Sequence, residues 1–205
     1  QIIEDLLRDK ISSRQCWDEL CDSVNVVSKN ELDKFIDLID VDPTFLPFVK
    51  FCSDNELELV VLSDGFDYYI DRLFNKAGLT GIKYYSNKLF VNEKGILKAE
   101  YPYFDNDSPT SANCKRNHII NHSSDDDYTI YIGDGNSDKD AAQYCDFIFG
   151  KDALARFCSM ERISFYPFNN FEDVKSKITV LLEKKNLRKR HQAQSILGTF
   201  LQYLD

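Results

Sequence analysis

The 205 residues are enough for one domain or for a core with a small cap, and their 43% hydrophobic content can supply a buried core. A formal net charge of −9 argues against general binding to nucleic acid or to an anionic membrane surface, although a phosphorylated small molecule would need only a few local cations. The apolar runs are too short to span a bilayer and the first residues do not resemble a secretory signal, so the cytoplasm is the expected compartment.

Helices are predicted for the first fifty or so residues, where apolar side chains recur at helical spacing. Ser12 and Ser13 can cap one helix, and Ser28 with Glu31 three residues later has the spacing of a capping box. Asp42-Pro43 is expected to open a further helix, since Asp caps well and Pro suits the first helical position. The predicted domains are a helical cap segment (1–40), an α/β core (41–185) and a helical tail (186–205).

A change of pattern at Glu58 marks the start of the predicted sheet. Leu59–Leu62 is a short apolar run rich in branched residues, which predicts a buried parallel strand that ends at Ser63-Asp64-Gly65. Residues 82–105 alternate loosely and predict short strands with a hairpin around Asn92–Gly95. Two further strands are predicted, at Tyr128–Ile132 and Phe147–Phe149. Strands that alternate with helices predict a Rossmann-like parallel sheet of the α/β class, in which ligands bind beyond the carboxyl ends of the strands.

The end of the sequence is basic and then apolar. The run Lys184–His191 is interpreted as a solvated helix face, in preference to a site for an anionic partner or a localisation signal. Apolar residues at helical spacing then predict a helix that packs on the body or, in a homodimer, on a second subunit. These residues are Ile196, Leu197, Phe200, Leu201 and Tyr203. The six cysteines are scattered along the chain, which favours reduced thiols over a zinc site or a disulfide framework.

A Gly-Asp-Gly-Asn-Ser-Asp pattern at residues 133–138 directly follows the strand predicted at Tyr128–Ile132. Asp134 and Asp138 put two carboxylates at a strand end and a helix start, and oxygen ligands of this kind suit Mg²⁺. Gly133 and Gly135 allow the backbone to approach closely. The alternative is an ordinary strand-to-helix turn in which Asp138 is a cap, but the preceding buried strand favours a metal site.

Two further positions carry groups that can bind phosphate. Ser63, followed by Asp64 and Gly65, puts a hydroxyl and backbone N–H groups at a strand end before a helix. Lys115 lies between the two strand-end turns and just before a helix, where an ammonium group can neutralise phosphate. Each has an ordinary alternative, a plain turn for Ser63 and a solvated surface side chain for Lys115. The order of the motifs along the chain favours a binding site.

This order, Ser at a strand end, then Lys, then Gly-Asp-Gly-x-x-Asp, resembles motifs two, three and four of the haloacid dehalogenase superfamily over roughly residues 40–180. Finer features resemble its phosphoserine-phosphatase branch, and within that branch the methionine-salvage phosphatases that act on 2-hydroxy-3-keto-5-methylthiopentenyl-1-phosphate. These features are Asp42-Pro43, Phe104-Asp105-Asn106-Asp107 and Phe171-Glu172-Asp173. Related branches act on polyol phosphates or phosphoserine, so the resemblance leaves the phosphate ester open.

The resemblance implies a Mg²⁺-dependent phosphomonoester hydrolase for a small phosphorylated metabolite, with a parallel α/β core and a small helical cap. Ser63-Asp64-Gly65 and Lys115 would form the substrate site, with Ser63 hydrogen-bonded to the phosphoryl group and Lys115 stabilising its charge. Asp134 and Asp138 would be the carboxylates on the metal side, with Asp134 as the direct ligand. The phosphoryl group would pass in line to an aspartate, and water would then hydrolyse the aspartyl-phosphate.

The sequence departs from the superfamily pattern at its beginning. Members start with an apolar strand followed by Asp-x-Asp-x-Thr, in which the first Asp is the nucleophile and the second the general acid and base. The lookalike Asp40-Val41-Asp42-Pro43-Thr44 is rejected, because a helical pattern precedes it and Pro43 lacks a backbone donor. The chain also begins with Gln1 instead of Met, so the natural protein is expected to carry the nucleophile on about 30–40 further residues upstream of Gln1.

Two other functions are compatible with parts of this pattern. A catalytically inactive relative that serves as a binding or regulatory module would bind phosphate or Mg²⁺ without turnover. A CheY-like phospho-receiver also uses an aspartate and Mg²⁺, but such a domain is shorter and does not place Gly-Asp-Gly-x-x-Asp after the lysine.

Overall fold

The computed structural model describes residues 1–191 together with residues 193, 194 and 196. The chain divides into two compact units, Gln1–Cys114 and Lys115–Asp205. Each unit combines helices with a three-stranded sheet, which confirms the predicted α/β class. The domain limits predicted at residues 40 and 185 stay predictions.

Four helices open the first unit, as the apolar periodicity predicted. They are α1 (Ile2–Leu7), α2 (Ser13–Ser23), α3 (Lys29–Asp37) and α4 (Phe45–Asp54). A complete capping box starts α2, because the side chains of Ser12 and Gln15 each accept a hydrogen bond from the other residue's backbone N–H. Ser28 caps α3 by accepting a hydrogen bond from the backbone N–H of Glu31.

The helix that Asp42-Pro43 was expected to open begins later, at Phe45. The Asp42 carboxylate accepts hydrogen bonds from the backbone N–H and the hydroxyl of Thr44, at 2.8 and 2.6 Å, and so forms a turn ahead of the helix. Pro47 occupies the first helical turn instead, where its missing N–H has no intrahelical partner to lose. Since α3 leads into this turn, the segment before Asp40 is a helix and not the strand that a nucleophile motif would follow.

The sheet of the first unit contains β1 (Val60–Phe66), β2 (Lys83–Val91) and β3 (Leu97–Glu100), with α5 (Asp67–Lys76) between β1 and β2. β1 is parallel to β2, and β2 pairs with β3 in the predicted antiparallel hairpin. Ser63-Asp64-Gly65, predicted as a turn after the strand, lies within β1, where the register shifts between Leu62 and Phe66. A bulge of this kind accommodates the glycine and serine that otherwise mark a turn.

Charged side chains on α5 hold α3 against it. Arg72 forms a bidentate ion pair with the Asp37 carboxylate, with N–O distances of 2.7 and 2.6 Å. Lys76 donates to the Asp37 carbonyl at 2.6 Å, at the end of α3 where the helix dipole favours a cation. Ile36 is the buried residue of α3, so the position of this helix depends strongly on polar contacts.

The second unit contains a parallel sheet in the order β4 (Ile130–Gly133), β5 (Phe147–Gly150) and β6 (Tyr166–Pro167). Its helices are α6 (Lys115–His122), α7 (Lys139–Ala142), α8 (Asp152–Met160) and α9 (Phe171–Leu182), and a 3₁₀ turn at Asn136–Asp138 precedes α7. The strands predicted near Tyr128–Ile132 and Phe147–Phe149 are thus confirmed as β4 and β5. The fully buried core side chains of this unit include those of Ile148, Leu154, Val174 and Ile178.

The basic segment after α9 is not the solvated helix face that was expected. Residues 184–190 are non-helical, and the Arg190 guanidinium donates to the carbonyls of Ala142, Gln143 and Cys145. The last carbonyls of a helix lack intrahelical N–H donors, so the carbonyls at the end of α7 can accept hydrogen bonds from this cation. Four residues of the predicted tail helix, Leu197, Phe200, Leu201 and Tyr203, lie outside the described residues.

All six cysteines are buried and free. Burial raises the pKa of the Cys52 thiol to about 11 and that of Cys145 to about 12. These two thiols are therefore protonated at neutral pH and chemically inert. Within the part of the chain that the structure describes, no helix combines the length and the apolar content needed to cross a membrane.

Candidate active site

The loop after β4 is closed by the carboxylate of Asp138. β4 ends at Gly133, and the chain then turns through Asp134 and Gly135 into the short 3₁₀ turn that contains Asp138. The Oδ2 atom of Asp138 accepts hydrogen bonds from the backbone N–H groups of Asp134 at 3.0 Å and of Gly135 at 2.8 Å. A Cβ at Gly133 would lie 2.7 Å from this oxygen, so the close approach requires glycine.

The second oxygen of the same carboxylate holds a buried cation. Asp138 Oδ1 lies 2.6 Å from Lys115 Nζ and 2.7 Å from the Tyr131 hydroxyl, and Lys115 also donates to Ser137 Oγ at 3.1 Å. The side chains of Lys115 and Asp138 are each only 8% exposed, so solvent screens the pair weakly. An ammonium group has three donors, and the described residues use two of them. The third N–H of Lys115 can therefore bind a ligand.

Opposing effects set the pKa of the Asp138 carboxyl group. Burial would raise this pKa, but Lys115, the Gly135 N–H and the Tyr131 hydroxyl outweigh burial and lower it below 3.8. Burial, followed by the Asp138 charge, raises the pKa of the Tyr131 phenol well above its ordinary value. Asp138 is therefore ionised and Tyr131 protonated at neutral pH, as their hydrogen bond requires.

This carboxylate should make the stability of the fold depend on acidic pH. A carboxyl group whose pKa is lower in the folded than in the unfolded state contributes fully above its unfolded pKa, and its contribution is lost as pH falls through the folded value. We expect the difference in unfolding free energy between the wild type and an Asp138→Asn variant to be constant from neutral pH to about 5 and to shrink below about 4. Denaturant titrations over this range measure it. A difference that stays constant to about pH 3 would contradict the lowered pKa.

Asp134 has a different environment from Asp138. Its side chain is exposed, and none of the residues described by the structure forms a hydrogen bond or ion pair with its carboxylate. Its backbone is fixed, because the N–H donates to Asp138 and the carbonyl accepts hydrogen bonds from the N–H groups of Ala153 and Leu154, at 3.0 and 3.2 Å. A free carboxylate on a fixed backbone at a strand end is well suited to bind a divalent cation.

The donor set fits Mg²⁺ in a sparse protein site. Magnesium commonly keeps several waters and takes one or two carboxylates together with substrate phosphate. Within the described ranges no cluster of three or more metal-binding side chains occurs. The predicted role of the Asp134 carboxylate as a metal ligand stays a prediction. Since four donors already engage the oxygens of Asp138, its contacts favour an orienting role, and its predicted role as a second metal ligand stays a prediction.

The other predicted binding segment, Ser63-Asp64-Gly65, lies in the first unit and has a mainly structural carboxylate. Asp64 Oδ1 accepts hydrogen bonds from the backbone N–H groups of Ala112 and Asn113, at 2.9 and 2.8 Å. The Asp64 carbonyl accepts one from the indole of Trp17 at 2.8 Å. The fully buried Asn113 side chain donates to the Ser63 carbonyl at 2.8 Å. These bonds fix the backbone that carries the Ser63 hydroxyl, and the predicted role of Asp64 in substrate binding stays a prediction.

The structure thus brings Lys115, Asp138 and the Asp134 backbone together in the second unit, and Ser63 lies with its neighbours in the first. That these groups share one pocket stays a prediction. Sequence reasoning missed Tyr131, which orients Asp138. A tyrosine in the middle of a predicted buried strand was a usable signal, because a buried phenol needs a hydrogen-bond partner.

Comparisons with known proteins identify a phosphatase family and similar proteins. A family model described as "Putative Phosphatase" matches residues 6–163. "Pdp3-interacting factor 1" of Schizosaccharomyces pombe is 28% identical over 180 residues, which cover 83% of this chain and 77% of that protein. The 2-hydroxy-3-keto-5-methylthiopentenyl-1-phosphate phosphatase of Bacillus mycoides is 26% identical over 186 residues, which cover 90% of this chain and 85% of that enzyme.

A solved structure is also similar. The crystal structure of phosphoserine phosphatase from T. onnurineus, in complex with NDSB-201, matches with a TM-score of 0.64 and covers 91% of this chain and 80% of that chain. The two sequences are 12% identical, so this likeness shows the fold alone. The fold it shows agrees with the α/β architecture of both units.

Proposed function

Because this chain belongs to the Putative Phosphatase family, we propose that it hydrolyses the phosphate monoester of a small metabolite in a Mg²⁺-dependent reaction. The family predicted from the motifs, the haloacid-dehalogenase-type phosphatases near the methionine-salvage enzymes, is confirmed by the comparisons, and so is the class of phosphomonoester hydrolase. The cytoplasm is the compartment we propose, since reduced thiols are typical of it and all six cysteines are free.

One observation carries the proposal: a single buried carboxylate positions both a cation and a free anionic side chain. Through its two oxygens, Asp138 binds the ammonium of Lys115 and the backbone N–H of Asp134. Lys115 keeps one donor for a phosphoryl oxygen, and Asp134 keeps its carboxylate for a metal. A phosphate and its cation need this combination of charges close together.

The residues of the chain then have distinct tasks. Lys115 would bind a phosphoryl oxygen and stabilise the charge that develops on it, and the ion pair with Asp138 fixes the ammonium beforehand. Ser63 would donate a hydrogen bond from its hydroxyl to a phosphoryl oxygen. Asp134 would hold Mg²⁺, and the chemistry that a bound Mg²⁺ supplies is Lewis-acid stabilisation of the negative charge on the phosphoryl oxygens.

We further propose that the phosphoryl group passes from the ester oxygen to an aspartate carboxylate as the alcohol leaves, and that water then hydrolyses the aspartyl-phosphate to inorganic phosphate and the free carboxylate. The lookalike motif at residues 40–44 is a poor source of this nucleophile, because it follows α3 and Lys76 Nζ lies 2.6 Å from the Asp40 carboxylate. Residues 40–44 are therefore not proposed as the source of this nucleophile, and its position upstream of Gln1 stays a prediction.

Phosphate release from a chromogenic aryl phosphate tests the function. The full-length protein is expected to release phosphate in the presence of Mg²⁺ and to stop when a chelator removes the metal. A panel of phosphorylated metabolites then narrows the substrate, and it should include phosphoserine, polyol phosphates and the ester hydrolysed by the Bacillus relatives. Binding of phosphate or Mg²⁺ without turnover of any ester would contradict the proposal and support an inactive relative.

A further inference from the structure

Arg14, in the first turn of α2, lies against two aromatic side chains. Its guanidinium carbon is 4.6 Å from the centre of the Phe104 ring and 5.7 Å from the centre of the Tyr101 ring. Contacts between a cation and aromatic rings orient the guanidinium without using its N–H donors. The two rings therefore position this cation and leave its hydrogen-bonding edge available.

The guanidinium of Arg14 has no hydrogen-bond acceptor among the residues that the structure describes. Asp18 Oδ2 lies 4.0 Å from Arg14 Nε, which is too far for a hydrogen bond. The other oxygen of Asp18 accepts a hydrogen bond from the Tyr101 hydroxyl at 2.7 Å. The side chains of Arg14 and Asp18 are 46% and 49% exposed, so their ion pair is weak. Arg14 thus keeps the donors with which an arginine binds an anion.

The helix that carries Arg14 contacts the segment that is proposed to bind phosphate. Trp17 is three residues further along α2, so it shares a helix face with Arg14, about 5–6 Å away between the Cβ atoms. The Trp17 indole donates to the Asp64 carbonyl at 2.8 Å. On the other side of Arg14, the backbone N–H of Ser13 donates to the Thr110 carbonyl at 3.0 Å. These contacts hold the first turn of α2 in place.

The segment after Thr110 is itself bound to the backbone of Ser63. The N–H groups of Ala112 and Asn113 donate to the Asp64 carboxylate at 2.9 and 2.8 Å. The Asn113 side chain donates to the Ser63 carbonyl at 2.8 Å. One hydrogen-bonded framework within the first unit therefore carries both the Ser63 hydroxyl and the turn of α2 that contains Arg14.

We propose that Arg14 binds a second anionic group of the substrate, a carboxylate or a further phosphate on the organic part of the ester. The inference rests on the proposed function, because it takes Ser63 as a ligand of the phosphate that is hydrolysed. The edge of a guanidinium binds either anion through two parallel hydrogen bonds. Arg14 is then a specificity-determining residue, and Phe104 and Tyr101 are positioning residues for it.

Matched glycerol esters test this specificity. Phosphoglycerate has a carboxylate where glycerol phosphate has a terminal hydroxymethyl group, and glycerol bisphosphate carries a second phosphate there. The full-length protein with Mg²⁺ is expected to favour one of the two esters with the added anion over glycerol phosphate by about 10- to 100-fold in kcat/KM, since charge-assisted hydrogen bonds are gained. Which ester is favoured distinguishes a carboxylate from a phosphate.

Substitutions at Arg14 should reduce this preference. Arg14→Met removes the charge but still packs on Phe104, and it is expected to lose the preference mainly through a higher KM for the favoured ester. Arg14→Lys keeps the charge without the planar fork, so its preference should fall about 3- to 10-fold. Phe104→Leu removes an aromatic ring beside the guanidinium and should raise the same KM. Arg8→Met, at an exposed arginine after α1, is the matched control and should keep the wild-type preference.

The outcomes separate the inference from the proposed function. If the wild type cleaves an aryl phosphate but favours neither ester with an added anion, or if Arg14→Met keeps the preference, the inference is overturned and the phosphatase activity stands. If the full-length protein cleaves none of these esters, the proposed function fails and the inference fails with it. Circular dichroism shows whether each variant is folded. Should Arg14→Met unfold, an undiminished preference in Arg14→Lys overturns the inference.

Discussion

An Asp134→Asn variant is expected to lose Mg²⁺-dependent phosphatase activity by about a thousandfold, because a bound metal contributes several kcal/mol of charge stabilisation. Asp134 offers a carboxylate that none of the described residues engages, while its backbone is held by Asp138 and by α8. Asparagine keeps the shape of the side chain and leaves those backbone bonds intact. The free energy of unfolding should therefore change by less than about 0.5 kcal/mol.

Initial rates at a series of Mg²⁺ concentrations, together with denaturant titrations, measure both quantities. Asp126→Asn is the matched control, because it removes an exposed carboxylate from the loop before β4 in the same unit. This control should keep wild-type activity. If Asp134→Asn kept most of its activity at every Mg²⁺ concentration, Asp134 would not be the metal ligand. If it unfolded, its role would be structural.

Removal of one partner of the buried pair Lys115–Asp138 is expected to lower the free energy of unfolding by about 3–5 kcal/mol, because an uncompensated charge then stays buried. Asp138→Leu should be the more damaging change. It leaves the ammonium of Lys115, the Tyr131 hydroxyl and two backbone N–H groups without their acceptor. Lys115→Met leaves an ionised carboxylate that still has three donors.

A double-mutant cycle identifies the pair as the cause. The variant that carries both Lys115→Met and Asp138→Leu should lose less stability than the sum of the two single losses, because neither charge is left alone. The exposed pair Lys50–Asp54, with side chains 75% and 57% exposed, is the matched control and should show a coupling below about 1 kcal/mol. Strictly additive losses at Lys115 and Asp138 would contradict the coupling seen in the structure.

Local patterns predicted most elements of the fold, because they are set by neighbours in sequence. The cap of α2 at Ser12 and the β2–β3 hairpin are examples, since a capping box and a turn each span only a few residues. Local patterns could not show whether Ser63-Asp64-Gly65 forms a turn or part of a strand. Its composition is that of a turn, and its place within β1 depends on the register against a strand some twenty residues away.

The sequence predicted which residues form the candidate site, but not the hydrogen bonds and ion pairs among them. Spacing identified Asp134 and Asp138 as a pair, yet it could not show that one carboxylate would be enclosed by donors and the other left free. That distinction depends on Lys115, which is 23 positions before Asp138 in the chain, and on the side of β4 to which Tyr131 points.

The contacts of Arg190 with the end of α7 have a consequence for protein synthesis. Its acceptor carbonyls belong to residues translated 45 to 48 positions earlier. At the usual speed of translation, Arg190 is added to the chain about 2–10 s after the residues whose carbonyls accept its hydrogen bonds. The helix that follows the Asp134–Asp138 loop is thus completed late, and the nascent chain reaches its final form there only after nearly the whole described sequence has left the ribosome.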